Sequence, residues 1–80
     1  MSDFYREIIV ANAKVKVAVE DLKDEHLLVD DLGYDSVSFV SMVVAIEGSY
    51  DFEFDDDYLA IAALKTVKDV ADYIKMRKSQ

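Results

Sequence analysis

Ser36 is the residue of this chain whose setting could do chemistry. It follows Asp30, Asp31, Leu32, Gly33, Tyr34 and Asp35, and it leads into a run of apolar residues with helical spacing up to Ile46. A loop that ends in glycine and aspartate before such a run puts the serine at a helix N-terminus. There its hydroxyl, or the Asp35 carboxylate, can accept from the free N–H groups of the first turn. A capping serine would satisfy the pattern. The position also suits covalent modification, because unpaired N–H groups and the positive end of the helix dipole receive a phosphodiester well.

Other chemistries fit less well. Gly33, Tyr34, Asp35, Ser36 is not a nucleophile elbow, which needs its serine two places after the glycine. A calcium loop started at Asp51 places Glu53, Asp55 and Asp57 at ligand positions. It then meets Asp56 where glycine is needed and Ala62 where the closing glutamate belongs. The chain has no cysteine, which excludes disulfides, thiolate metal sites and a cysteine nucleophile, and it has no glycine-rich phosphate loop. The single histidine, His26, sits among charged loop residues without a nucleophile in sight and reads as a surface residue. Catalysis by this chain alone is not expected, and neither is a metal site.

Eighty residues form one domain with a small core shared by all its helices. Seventeen acidic against nine basic residues give a net charge of -8, which repels nucleic acid and anionic membranes and favours basic protein surfaces as partners. No apolar run is long enough to span a bilayer, and the N-terminus does not read as a signal peptide. The expectation is a cytoplasmic monomer.

The elements that must position Ser36 follow from periodicity. Residues 3 to 18 read as a first helix, capped by Ser2 or Asp3, with Phe4, Ile8, Ala11 and Val15 on one stripe. From Glu20 to Asp35 the pattern is irregular. Leu22, Leu27, Leu28 and Leu32 should pin this long loop to the core. Residues 36 to 49 form the second helix, with Val37, Val40, Val43 or Val44, and Ile46 facing inward. Ser38, Ser41 and Ser49 suit solvent or a partner. Phe39 and Met42 lie off that stripe: either they are partly exposed near Ser36, where apolar residues mark a contact surface, or the helix is simply apolar most of the way round. The expected partner surface takes in Val37, Phe39, Val40, Met42 and Glu47.

Tyr50, Phe52 and Phe54 alternate with Asp51, Glu53 and Asp55. A lone strand would not be stable, so the stretch reads as an extended loop with aromatic anchors. A short third helix is expected around Tyr58 to Ala63. Thr66, Val67, Lys68, Asp69 has the form of a capping box with aspartate for glutamate, and it opens a final helix with Val67, Val70, Ala71, Tyr73 and Ile74 inside. The fold class is all-α, a bundle of three main helices plus one short one behind a long first loop.

Asp31, Leu32, Gly33, Tyr34, Asp35, Ser36, Val37 resembles the D-L-G-x-D-S-(L/V/I/M) signature of acyl and peptidyl carrier proteins. Tyr50, Asp51, Phe52, Glu53, Phe54 is similar to the family's F-x-x-x-(I/F) stretch after the second helix, and the order of elements agrees along nearly the whole chain. The resemblance implies a four-helix carrier bundle with Ser36 as the attachment site of a 4′-phosphopantetheine arm taken from coenzyme A. It implies that Asp35 helps to engage the phosphopantetheinyl transferase and its metal. The other implied partners are a loading enzyme and downstream synthase or tailoring enzymes. Fatty-acid carriers usually have leucine where this chain has Val37, and they carry several carboxylates along the second helix. Here Ser38, Ser41, Gly48 and Ser49 stand in that helix with only Glu47 retained. The chain is therefore more similar to carriers of polyketide or nonribosomal-peptide assembly than to a housekeeping fatty-acid carrier. The alternatives are a housekeeping fatty-acid-synthesis carrier and, from a different class, a non-catalytic acidic helical adaptor whose Ser36 is only a cap.

Overall fold

The computed structural model describes residues 4–59 and 63–78. Three α-helices carry the architecture among these residues: α1 (Phe4–Asn12), α2 (Ser36–Tyr50) and α3 (Val67–Lys78). Among the described residues, the 3₁₀ turns Val19–Asp21 and Asp56–Tyr58 punctuate the connections. The all-α expectation holds. The short third helix expected around Tyr58 to Ala63 meets the 3₁₀ turn Asp56–Tyr58 only at Tyr58; Leu59 is a bend, and residues 60–62 lie outside the described residues, as does the cap at Ser2 or Asp3. No described helix is long and apolar enough to cross a membrane.

α1 is shorter than its periodicity predicts. The Ala13 N–H turns back to the Val10 carbonyl, and the N–H groups of Lys14 and Val15 both donate to the Leu32 carbonyl, at 3.0 and 3.1 Å. Two donors that would have extended the helix thus bind the long loop instead, and β-branched Val15, Val17 and Val19 offer little helix propensity to resist. Its buried residues are Ile8 and Ile9, while Phe4 and Ala11 of the expected stripe are exposed and Val15 lies exposed beyond the helix.

The long first loop is pinned as its leucines suggest. Leu22, Leu28 and Leu32 are all buried. Residues 27–34 are wound tightly: Asp31 and Leu32 donate to the Leu27 carbonyl, and the Asp31 carboxylate accepts from the Leu27 N–H at 2.7 Å. The same segment lashes α3 in place. Leu28 donates to the Lys65 carbonyl, Val67 to that of His26 and Lys68 to that of Asp24. The capping box closes as predicted, with Asp69 N–H on Thr66 Oγ1 at 3.1 Å and Thr66 N–H on Asp69 Oδ2 at 3.2 Å. The orphan donors of α3's first turn are therefore taken up. His26 is half-buried, and its Nδ1 accepts from the Lys23 N–H.

α2 departs from expectation most. Its buried stripe is Phe39, Met42, Val43, Ile46 and Tyr50, with Ser38 also buried, whereas Val37, Val40 and Val44 are 75%, 51% and 60% exposed. Phe39 and Met42 are wholly buried and so cannot form a partner surface. Of the predicted inward residues, Val43 and Ile46 are inside. Two apolar stripes with the same spacing run along this helix, offset by two residues. The bulkier one goes inside, because the larger side chains remove more apolar area from water.

Beyond α2 the aromatic loop is an extended segment with anchors. Phe54 is buried and stacks on Phe52 at 5.6 Å, and Tyr73 of α3 meets Phe54 at 4.8 Å and Tyr58 at 4.4 Å. Asp51 caps α2 in the left-handed region (φ 60), which aspartate tolerates better than most side chains. One Glu47 carboxylate oxygen accepts from the Phe54 N–H at 2.8 Å, and the Asp55 N–H donates to the Tyr73 hydroxyl at 2.9 Å. The last-turn cations of α3 close the end: Arg77 pairs with Asp55 and lies over the Phe52 ring, and Lys78 donates to the Tyr50 carbonyl.

Candidate functional site

The site begins three residues before Ser36, with a glycine that has little alternative. Gly33 has φ +73, and a Cβ there would lie 3.2 Å from Lys14 Cβ and 3.3 Å from Val15 Cγ2. Both the backbone conformation and the close passage over the end of α1 call for glycine. Tyr34 follows, buried, with its hydroxyl donating to the Ile9 carbonyl at 2.7 Å. Because Ala13 N–H turns to Val10, the Ile9 carbonyl at the end of α1 is an orphan acceptor that this hydroxyl satisfies. Burial pushes the Tyr34 phenol well above its ordinary pKa. The loop is thus nailed to α1 immediately before the site.

Asp35 then caps α2. Its Oδ1 accepts from the Ser38 N–H at 2.8 Å and from the Ser38 hydroxyl at 3.0 Å, while Oδ2 pairs with the Lys14 ammonium. The cap is Asp35 rather than Ser36, and buried Ser38 supports it from inside the first turn. The Lys14 ammonium, then the Ser38 donors, hold the Asp35 carboxyl below the usual carboxylate range. Lys14 and Ser38 were invisible as site residues in the linear pattern. The i,i+3 spacing of Asp35 and Ser38 is a capping signal that could have identified the second of them.

Freed from capping, Ser36 is exposed at the first residue of α2. No described residue hydrogen-bonds its hydroxyl or accepts from the N–H of Ser36 or Val37. Val37 and Val40 lie beside it on the outer face with Val44 and Gly48 further along, while Phe39 and Met42 are turned into the core. Glu47 is half-buried and spends one oxygen on the aromatic loop. Of the residues expected to form the site, the fold therefore gathers Asp35, Ser36, Val37 and Val40 on one surface. Among the described residues no cluster of carboxylates, histidine or cysteine has the geometry of a metal site.

A family model described as "phosphopantetheine attachment site" matches residues 6–74. The acyl carrier protein of Desulforapulum autotrophicum is 36% identical over 69 residues, covering 86% of this chain and 87% of that protein. The acyl carrier protein of Syntrophobacter fumaroxidans is 38% identical over 71 residues, covering 89% and 84%. That of Bdellovibrio bacteriovorus is 38% identical over 72 residues, covering 90% and 87%.

The residues present fit such an arm. An uncommitted hydroxyl at the first residue of a 15-residue helix faces solvent, with unpaired amide donors and an ammonium close by to receive a phosphodiester anion. A deep cleft is not needed for a group that reacts in other proteins' active sites. From residue 6 to residue 74, in its helices and in its donor set, the chain belongs to the phosphopantetheine-attachment family of acyl carrier proteins, non-catalytic carriers with a covalently held 4′-phosphopantetheine arm.

Proposed function

We propose that residues 1–80 form a single carrier domain, loaded on Ser36, that presents acyl or aminoacyl intermediates to the enzymes of a polyketide or nonribosomal-peptide type pathway. The observation that carries the reading is the exposed Ser36 hydroxyl at the first residue of α2, relieved of capping by Asp35. When bound, the arm supplies a terminal thiol that holds cargo as a thioester, a chemistry the cysteine-free chain lacks. The protein's own part is positional. Tyr34 and Gly33 fix the approach to the helix, and Asp35 fixes its first turn. On loading, the Ser36 hydroxyl gives up its proton as its oxygen bonds to the pantetheine-bearing phosphorus of coenzyme A, the pyrophosphate P–O bond breaks, and adenosine 3′,5′-bisphosphate leaves.

The specialised pathway is favoured by the outer face of α2. Val37, Val40, Ser41, Val44, Gly48 and Ser49 are exposed there, and the helix's one carboxylate, Glu47, is partly engaged with Phe54. Partners that read this helix would meet aliphatic side chains rather than a row of charges. Tethering makes delivery intramolecular, so weak and fast docking is enough. The expected partners are a phosphopantetheinyl transferase, a loading enzyme and downstream synthase or tailoring enzymes, met in the cytoplasm by a monomeric carrier.

The test is intact mass after incubation with coenzyme A, Mg²⁺ and a broad-specificity transferase. Wild type should gain ~340 Da, the mass of one phosphopantetheinyl group, and Ser36→Ala should gain nothing. A wild type that stays unmodified, as a non-catalytic helical adaptor would, overturns the proposal. Offering the loaded chain to housekeeping fatty-acid synthase enzymes separates the pathways: efficient elongation there would reject the specialised role while leaving the carrier function intact.

A further inference from the structure

A phosphodiester on Ser36 would place a second anion directly beside the Asp35 carboxylate. Asp35 Oδ1 is already filled by both Ser38 donors, so Oδ2 is the oxygen left to share a counter-ion. Among the described residues, Lys14 is the cation paired to this first turn; the other ion pairs join Arg6 to Asp24, Lys68 to Asp72 and Arg77 to Asp55. An ammonium carries three N–H donors, and Lys14 commits one of them, to Asp35.

The backbone and Cβ of Lys14 are fixed, and its pairing with Asp35 holds the ammonium at the end of the side chain. The Lys14 N–H donates to the Leu32 carbonyl at 3.0 Å, and its Cβ sits where Gly33 alone allows so close a passage. The Lys14 side chain and Ser36 are both exposed, and the carboxylate that Lys14 pairs with belongs to Asp35, the chain neighbour of Ser36. We infer that Lys14 is a positioning residue that bridges the Asp35 carboxylate and the phosphodiester once Ser36 is loaded, neutralising one of two adjacent anions and fixing the direction in which the arm leaves the helix. The inference rests on Ser36 being the attachment site.

The experiment compares ³¹P NMR spectra of the loaded wild type with loaded Lys14→Gln, Lys14→Arg and Lys16→Gln, at low and at 1 M salt, after intact mass has established loading. At low salt, Lys14→Gln should move the phosphodiester resonance by more than its linewidth, Lys14→Arg should stay near wild type, and Lys16→Gln should leave the resonance in place. The difference should shrink at high salt, where exposed charges are screened. Coincident resonances for loaded wild type and Lys14→Gln overturn the bridge while leaving the attachment site standing. An equal displacement by Lys16→Gln also overturns it, because net charge alone would then explain the change. Failure of wild type to gain the arm's mass overturns the Ser36 reading and the bridge together.

Discussion

Removing the Tyr34 hydroxyl isolates the tie between α1 and the loop that delivers Ser36. Tyr34→Phe keeps the buried ring and deletes one hydrogen bond, 2.7 Å long, between residues 25 apart in the chain. The loss combines a net hydrogen bond with the burial of an Ile9 carbonyl that no backbone donor replaces, and together these cost about 1.5 kcal/mol. For a domain of this size, that lowers the melting temperature by roughly 6–12 °C. Urea unfolding followed by circular dichroism measures it, with an unchanged m-value showing that the folded and unfolded states keep their compactness. Tyr58→Phe is the internal control, since Tyr58 is a half-buried residue whose hydroxyl has no hydrogen-bond partner among the described residues, and its removal should be nearly silent. The pH dependence adds a second signature. Burial raises the Tyr34 phenol's pKa, so above pH ~10 the unfolded chain releases this proton while the folded chain retains it, and stability falls as pH rises. Tyr34→Phe lacks that decline, so the gap between the two proteins should be full below pH 10 and narrow above it. A loss smaller than about 0.5 kcal/mol at neutral pH would refute the proposed tie.

Two more substitutions test how the site and α2 are built. Gly33→Ala forces an L side chain to φ +73 against Lys14 and Val15 and should cost about 1–2 kcal/mol in urea unfolding; a variant as stable as wild type would show that the close passage is relaxed. Phe39→Ala should lose about 3–5 kcal/mol, whereas Val40→Ser, one residue along, should stay within about 0.5 kcal/mol of wild type. Comparable losses for the two would mean that the inner and outer faces of α2 have been assigned the wrong way round.

Much of this fold is legible in the chain because local chemistry specifies it. Thr66 and Asp69 announce the start of α3 by reciprocal capping, and the leucines scattered through a polar loop announce its attachment to the core. The same local logic puts Ser36 at a helix start. What periodicity could not supply was the phase of α2. Val37, Val40 and Val44 repeat with the same spacing as Phe39, Met42 and Ile46, so spacing alone cannot choose between them, and side-chain volume decides. The end of α1 was illegible for a different reason. It is set by the Leu32 carbonyl taking the Lys14 and Val15 donors, a contact across some 17 residues that no local window contains. Lys14 stayed hidden for that reason too: it approaches Asp35 only because the two chain segments cross.

The division of α2 into an inner and an outer row that share no residue separates two kinds of selection. On the carrier reading proposed above, substitution at the exposed Val37, Val40 or Val44 would change what a visiting enzyme meets while leaving the packed interior alone, so such changes carry little penalty in folding. A lineage could therefore exchange one set of client enzymes for another through a few outward valines. The serine, its cap and the interior would pass unchanged from one biosynthetic assembly to the next.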